Sequence, residues 1–113
     1  MPRDYKIYIG DILNSIEKIE RYTKDIKLED FEKDELLQDG VARNLEIIGE
    51  AVKNIPEEIK AKKIDIEWKK IAGLRDILIH SYFGIDTAII WDIIENKIPD
   101  LKNAIIYLLN NGT

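Results

Sequence analysis

The sequence predicts an all-α protein, folded as an antiparallel bundle of four or five helices. Apolar residues recur every three or four positions along most of its 113 residues, the spacing that puts them on one face of a helix. No stretch shows the strict alternation, bounded by turns, that indicates a strand. The composition, 45% hydrophobic and 35% charged, is typical of a folded globular chain. The length suits a single domain, predicted over residues 1–113.

The first half of the chain predicts two long helices. The first covers about residues 4–22, with Asp4 as its N-cap. A polar connection follows, in which Asp30 or Asp34 is the candidate cap of the second helix. That helix ends before Pro56, which is also suited to the first turn of a short helix, where its missing N–H is harmless.

The second half predicts two more long helices and a dimer. One runs over about residues 65–82, and another begins at the cap residue Asp86 and is broken or restarted at Pro99. Adjacent apolar residues such as Ile47 and Ile48, or those at 77–79, make two helices apolar on more than one side. Because a small bundle cannot hide so much apolar surface, we expect a two-fold homodimer.

Charge and composition limit the partners. The net charge is −5, so any contact with nucleic acid must be local. An acidic stretch at residues 29–39 and a basic one at 60–70 are either solvated helix faces or a binding surface. There is no cysteine, which suits the cytoplasm. The charged start predicts no signal peptide, and no apolar run approaches the roughly 18 residues that a membrane span needs.

Candidate catalytic residues lie together at positions 75–82. His80 is the only histidine of the chain. On a helix, Arg75 and Tyr82 point within about 20° of each other, whereas Arg75 and His80 point about 140° apart. Asp76 precedes His80 by four positions, so it can orient the imidazole and favour its charged form. One helix alone therefore does not aim Arg75 and His80 at one atom, but two copies facing each other across a dimer axis can.

These residue types suit cleavage of RNA by its own 2′-hydroxyl. Histidine supplies an acid or base near neutral pH, and arginine holds the charged phosphate oxygens. None of the usual metal-ligand spacings is present, so no metal and no cofactor is predicted. From the residues alone, a second interpretation stays open: Asp76 and His80 form an ordinary helical hydrogen bond, and Arg75 and Tyr82 border a dimer interface.

The string Arg75-x4-His80-x-Tyr82 resembles the motif of HepT-type toxins in the HEPN superfamily. The segments 43–51 and 68–75 are similar to other signatures of that family, and the resemblance extends over about residues 3–110. One departure is Asp76, where family members often carry asparagine.

The resemblance implies a HEPN-like homodimer that cleaves RNA without a metal in a cleft at its two-fold axis. Arg75 would stabilise the phosphate and His80 would act as acid and base, with Asp76 and Tyr82 in supporting roles. It also implies a toxin–antitoxin module, in which a nucleotidyltransferase antitoxin of the MntA type silences the toxin by transferring AMP to Tyr82. The alternatives are a non-enzymatic subunit that binds nucleotides or the transferase, and a degenerate subunit that only supports the transferase.

Overall fold

The computed structural model describes residues 4–79 and 86–111, apart from the side chains of Arg75, Ile77 and Ile79. Within these ranges it contains helices and turns but no strand, which confirms the predicted all-α class. The helices are α1 (Tyr5–Thr23), α2 (Leu28–Glu32), α3 (Glu35–Lys53), α4 (Glu57–Lys60), α5 (Trp68–Ala72), α6 (Leu74–Ile79), α7 (Thr87–Asp92) and α8 (Ile98–Asn111).

Carboxylate caps fix the starts of the long helices α1 and α3. The Asp4 carboxylate accepts a hydrogen bond from the Lys6 N–H at 2.9 Å, and α1 begins at Tyr5. The Asp34 carboxylate accepts from the Leu37 N–H at 3.0 Å and caps α3. Asp30, the other candidate, lies inside the short helix α2, where its carboxylate accepts from the Lys27 N–H at 2.9 Å. Both predicted long helices are confirmed.

The core forms around α1, which packs against both α3 and α8 through its apolar face. In α1, the isoleucines at positions 9, 12, 16 and 19 recur every three or four residues and are inaccessible to solvent. Phe31 of α2 joins this core and contacts the Trp91 ring, with ring centroids 5.5 Å apart. The fully buried residues of the three long helices are Ile9, Ile12, Ile16, Ile19, Val41, Leu45, Ile48, Val52, Ile105 and Leu108.

The predicted helix over residues 65–82 is divided at Gly73. The described part consists of α5 and α6, which meet at this glycine, and its predicted end at Tyr82 lies outside the described residues. The Gly73 N–H still bonds the Lys69 carbonyl at 3.0 Å, so the interruption is slight. The start of α5 is anchored by Trp68, because its indole N–H donates to the Lys60 and Lys63 carbonyls at 3.1 and 3.0 Å. These bonds fix α5, and with it the direction in which α6 leaves.

The helical backbone continues from α7 through Pro99 into α8. Asp86 caps α7, as predicted, by accepting bonds from the N–H groups of Ala88 and Ile89 at 3.1 and 3.3 Å. A π-helical turn at residues 93–97 then joins α7 to α8. Proline lacks an N–H and its ring clashes with the carbonyl four residues earlier in a regular α-helix. The wider turn relieves that clash, so Pro99 restarts the helix rather than breaking it.

No described helix combines the length and the apolar character needed to pass through a bilayer.

Candidate functional site

The segment with the predicted catalytic residues begins on α6. Arg75 and Asp76 are the second and third residues of this helix, which packs against α3. The Arg75 side chain, His80 and Tyr82 lie outside what the structure describes, so the predicted Arg75–Tyr82 strip and Asp76–His80 pair stay predictions. The structure does describe the surface from which this segment starts, where α6 lies on α3.

Asp76 pairs with a residue that the sequence did not single out. The Lys53 ammonium lies 3.8 Å from the Asp76 carboxylate, and the two side chains are 38% and 57% exposed. Lys53 is the last residue of α3, so the pair joins the end of α3 to the first turn of α6. A cation at a helix C-terminus and an anion in a first turn are each favoured by the helix dipole. The Asp76 carboxylate, which directly follows the motif arginine in the chain, thus has a lysine ammonium beside it.

The segment 43–51 of α3 divides between the core and a polar groove. Asn44, Leu45 and Ile48 point into the core, and the Asn44 amide donates to the Gly40 carbonyl at 2.8 Å. The opposite positions border a groove of about 240 Å³ between α1 and α3. Its lining consists of Tyr8, Asp11, Arg43, Glu46, Ile47, Glu50, Ala51 and Asn54.

The groove carries more negative than positive side chains. Arg43 is its one arginine, and its guanidinium lies 3.7 Å from the Glu46 carboxylate with 71% of its side chain exposed. Asp11 and Glu50 add two more carboxylates to the lining. This charge disfavours a phosphate in the groove itself.

Much of the basic stretch at residues 60–70 is engaged in local contacts. Lys60 lies 3.4 Å from the Glu57 carboxylate, and the Lys63 ammonium lies over the Tyr107 ring, 4.8 Å from its centroid. Lys70 contacts Glu67 at 2.7 Å; the hydrogen bond and the charge of Lys70 lower the pKa of Glu67, and Glu67 in turn raises the pKa of Lys70. For these lysines the interpretation as a solvated, paired helix face is favoured over a phosphate-binding surface.

An apolar cavity of about 370 Å³ lies beside the start of α6. Its walls come from α3, α5, the π-helical turn and α8, and are mainly aliphatic. Glu67 stands at its rim between Lys70 and Lys97, at 2.7 and 3.5 Å. Such a lining suits packing rather than acid–base chemistry. Across the described ranges, no three carboxylate or histidine side chains are grouped so as to hold a metal ion.

Residues 12–108 match the family model described as Ribonuclease HepT-like. The chain belongs to the HepT-like family. The resemblance predicted from the Arg75-x4-His80-x-Tyr82 string is therefore confirmed, and the match spans the α3 side of the groove, the Lys53–Asp76 pair and the motif segment. No solved structure was found to match the chain significantly.

Several HepT-like relatives are similar along nearly the whole chain. A protein of Thermococcus cleftensis named "Probable ribonuclease HepT" is 47% identical over 102 residues, 90% of this chain and 93% of the relative. A Caldanaerobacter subterraneus protein named "Putative RNase" is 46% identical over 102 residues, 90% and 91% of the two chains. A Methanocaldococcus jannaschii protein named "Gamma-glutamylcyclotransferase and putative RNase" is 49% identical over 109 residues. The present HepT-like chain spans 49% of the length of that last relative.

Lys53 is the residue of this surface that sequence reasoning missed. The only signal was a basic residue in the last turn of a helix that ends before Pro56, and such residues are common. Its partner lies 23 positions later, on a helix whose packing against α3 the sequence does not show. The contact is therefore visible only in the folded chain.

Proposed function

We propose that this HepT-like chain is an endoribonuclease that cleaves RNA phosphodiesters through the 2′-hydroxyl of the substrate, without a metal, in the cytoplasm. Arg75 holds the non-bridging phosphate oxygens, because a guanidinium donates two parallel hydrogen bonds and keeps its charge. His80 transfers the protons. Asp76 and Tyr82 support them. The proposed catalytic unit is the single HEPN-like domain over residues 1–113.

The observation that carries this proposal is an intact Arg75-x4-His80-x-Tyr82 string within a chain that matches the HepT-like family over residues 12–108. The relatives named as ribonucleases, at 46–47% identity over nine-tenths of both chains, support the same activity. The described surface around Asp76 is open to solvent, which suits a long polymeric substrate.

The proposed active form is a homodimer. Arg75 and His80 are five residues apart, so a continuous helix would aim them about 140° apart. A two-fold axis beside this helix would bring Arg75 of one protomer and His80 of its partner to one cleft. Exposed apolar side chains on the described surface, among them Ile64 and Ile89, support an interface.

Cleavage in the presence of a chelator tests the proposal. We expect the purified chain to cut a labelled single-stranded RNA at the same rate with and without excess EDTA, leaving a 2′,3′-cyclic phosphate or its hydrolysis product. The matched control substrate is the same oligonucleotide with 2′-O-methyl groups, which lacks the nucleophile and should stay intact. Adenine-nucleotide binding without cleavage of any RNA pool would favour the non-enzymatic alternative.

The chain is proposed to be the toxin of a toxin–antitoxin module. Its antitoxin would be a nucleotidyltransferase of the MntA type that transfers AMP from ATP to the Tyr82 hydroxyl, with release of pyrophosphate. The adenylyl group would place a negative phosphodiester and a bulky nucleoside beside Arg75, where the RNA phosphate is proposed to bind.

Co-expression with a nucleotidyltransferase of the MntA type tests this regulation. We expect the intact mass of the chain to increase by one or more AMP groups, and the modified chain to lose RNA cleavage because its phosphate site is blocked. In the Tyr82→Phe variant, which lacks only the acceptor oxygen, the mass should stay that of the unmodified chain. Modification that persists in Tyr82→Phe would contradict the assignment of the acceptor. An unshifted mass of the wild-type chain would contradict the AMP transfer.

A further inference from the structure

The two ends of α3 carry opposite charge. Residues 29–39, around the start of this helix, hold six carboxylates and one lysine. Residues 60–70, which follow its end, hold five lysines and two carboxylates. The 19 residues of α3 correspond to a length of about 28 Å, roughly three times the Debye length at physiological salt. Each end therefore presents its own charge to a partner, although the net charge of the chain is −5.

The basic stretch lies at the same end of α3 as the start of the motif segment. The bonds of the Trp68 indole tie residues 60–63 to the start of α5. Helix α5 packs on α3 and leads into α6 with only the slight interruption at Gly73. In the first turn of α6, the Asp76 carboxylate lies 3.8 Å from the ammonium of Lys53, the last residue of α3. A strand bound to the basic end would thus lie close to the helix on which the motif segment begins.

Two lysines of the basic stretch are available to an outside partner. Three of its five lysines have the local contacts given above. Lys62 and Lys69 are exposed, and neither has a carboxylate partner within residues 4–79 and 86–111. Glu67 already lies between two lysines, so Asp65 is the carboxylate of this stretch that opposes the two exposed ammonium groups. A lysine without an internal partner can neutralise a phosphate without first breaking an ion pair.

We infer that Lys62 and Lys69 bind phosphates of the RNA strand, so that the end of α3 with the basic stretch is the RNA docking surface. The choice of RNA as the partner rests on the proposed function. Neither lysine is assigned to the reacting atoms. The carboxylates at the other end of α3 repel the strand, which favours its approach from the basic end.

The inference predicts both the affinity and its salt dependence. Lys62→Gln and Lys69→Gln should each bind RNA roughly three- to fivefold more weakly at about 100 mM salt, because each loses one phosphate contact. The slope of log Kd against log salt should decrease by about 0.7 in each variant and by about 1.4 in the double variant. Lys62→Arg and Lys69→Arg keep the charge and should keep the wild-type slope. A purely structural role for these lysines would leave the slope unchanged.

The experiment measures binding of a fluorescently labelled, single-stranded 2′-O-methyl RNA oligonucleotide to the full chain by anisotropy. This probe lacks the nucleophile and cannot be cleaved, and the titration is repeated between about 50 and about 300 mM salt. The matched control is Lys33→Gln, which changes the net charge equally at the acidic end. Lys33 is an exposed lysine at the end of α2. It should bind with the wild-type affinity and slope, and light scattering should show one oligomeric state for all variants.

The outcomes separate this inference from the proposed function. Weaker binding and a smaller slope for Lys62→Gln and Lys69→Gln, with Lys33→Gln unchanged, support the inference. A wild-type slope in the double variant would overturn it, as would an equal loss in Lys33→Gln or a wild type that does not bind RNA. The expected losses of binding, with no cleavage of the same sequence carrying 2′-hydroxyls, would contradict the ribonuclease proposal alone. Cleavage by the wild type, with unchanged affinity of the double variant, would overturn this inference alone.

Discussion

Replacing Arg75 or His80 by alanine is expected to lower the rate of RNA cleavage by about 100-fold or more while leaving a folded chain. Loss of a preorganised cation from a transition-state phosphate costs about 100- to 1000-fold in rate, and loss of a general acid–base costs about 100- to 10,000-fold. Arg75→Lys should retain part of the activity, because lysine keeps the charge but not the two parallel hydrogen bonds. Single-turnover cleavage of labelled RNA measures these effects.

The controls for this prediction separate chemistry from folding. Circular dichroism and light scattering should show that both alanine variants keep the helical content and the oligomeric state of the wild type. Arg21→Ala is a matched control, since Arg21 is a surface arginine of α1 whose described contact is with the neighbouring Tyr22 ring, at 5.7 Å. It should cleave at the wild-type rate. Wild-type cleavage by both Arg75→Ala and His80→Ala would contradict the assigned roles.

Truncation of Leu45 is expected to produce the largest loss of stability among the predictions made for this chain. Leu45 lies on α3 and is 0% exposed in the core between the long helices. Leu45→Ala removes buried apolar atoms and leaves a cavity that the packed helices cannot fully close, so the free energy of unfolding should fall by about 2–5 kcal/mol. For a domain whose total stability is about 5–15 kcal/mol, this is a large fraction.

Leu36→Ala on the same helix provides the comparison. Leu36 is 83% exposed, so its truncation removes little buried surface and should change the free energy of unfolding by no more than about 0.5 kcal/mol. Urea unfolding followed by circular dichroism measures both variants, at one protein concentration because self-association would otherwise shift the midpoint. Similar losses in the two variants would mean that Leu36 is covered in solution or that Leu45 is not in the core.

Local signals were enough to predict the helices because their causes are local. Asp4 and Asp86 cap the helices that they were predicted to cap, and Asp34 is the one of two candidates that caps α3. Such caps are predictable because a carboxylate reaches an N–H only two or three residues away. The period of the apolar residues likewise determined which face of α1 is buried. Pro99 shows the limit of such signals. A proline predicts disturbance of a helix, but it does not predict whether the helix breaks or widens into a π-helical turn, as it does here.

The sequence by itself determined the all-α class, the main helix starts, the membership in the HepT-like family and the string of candidate residues from Arg75 to Tyr82. Each follows from spacing along the chain or from residue identity. Only the tertiary structure placed Lys53 against Asp76 and divided the segment 43–51 between core and groove. The reason is physical: the ion pair depends on how α6 lies on α3. That packing is set by the whole core, whereas the helix caps depend only on residues within one turn.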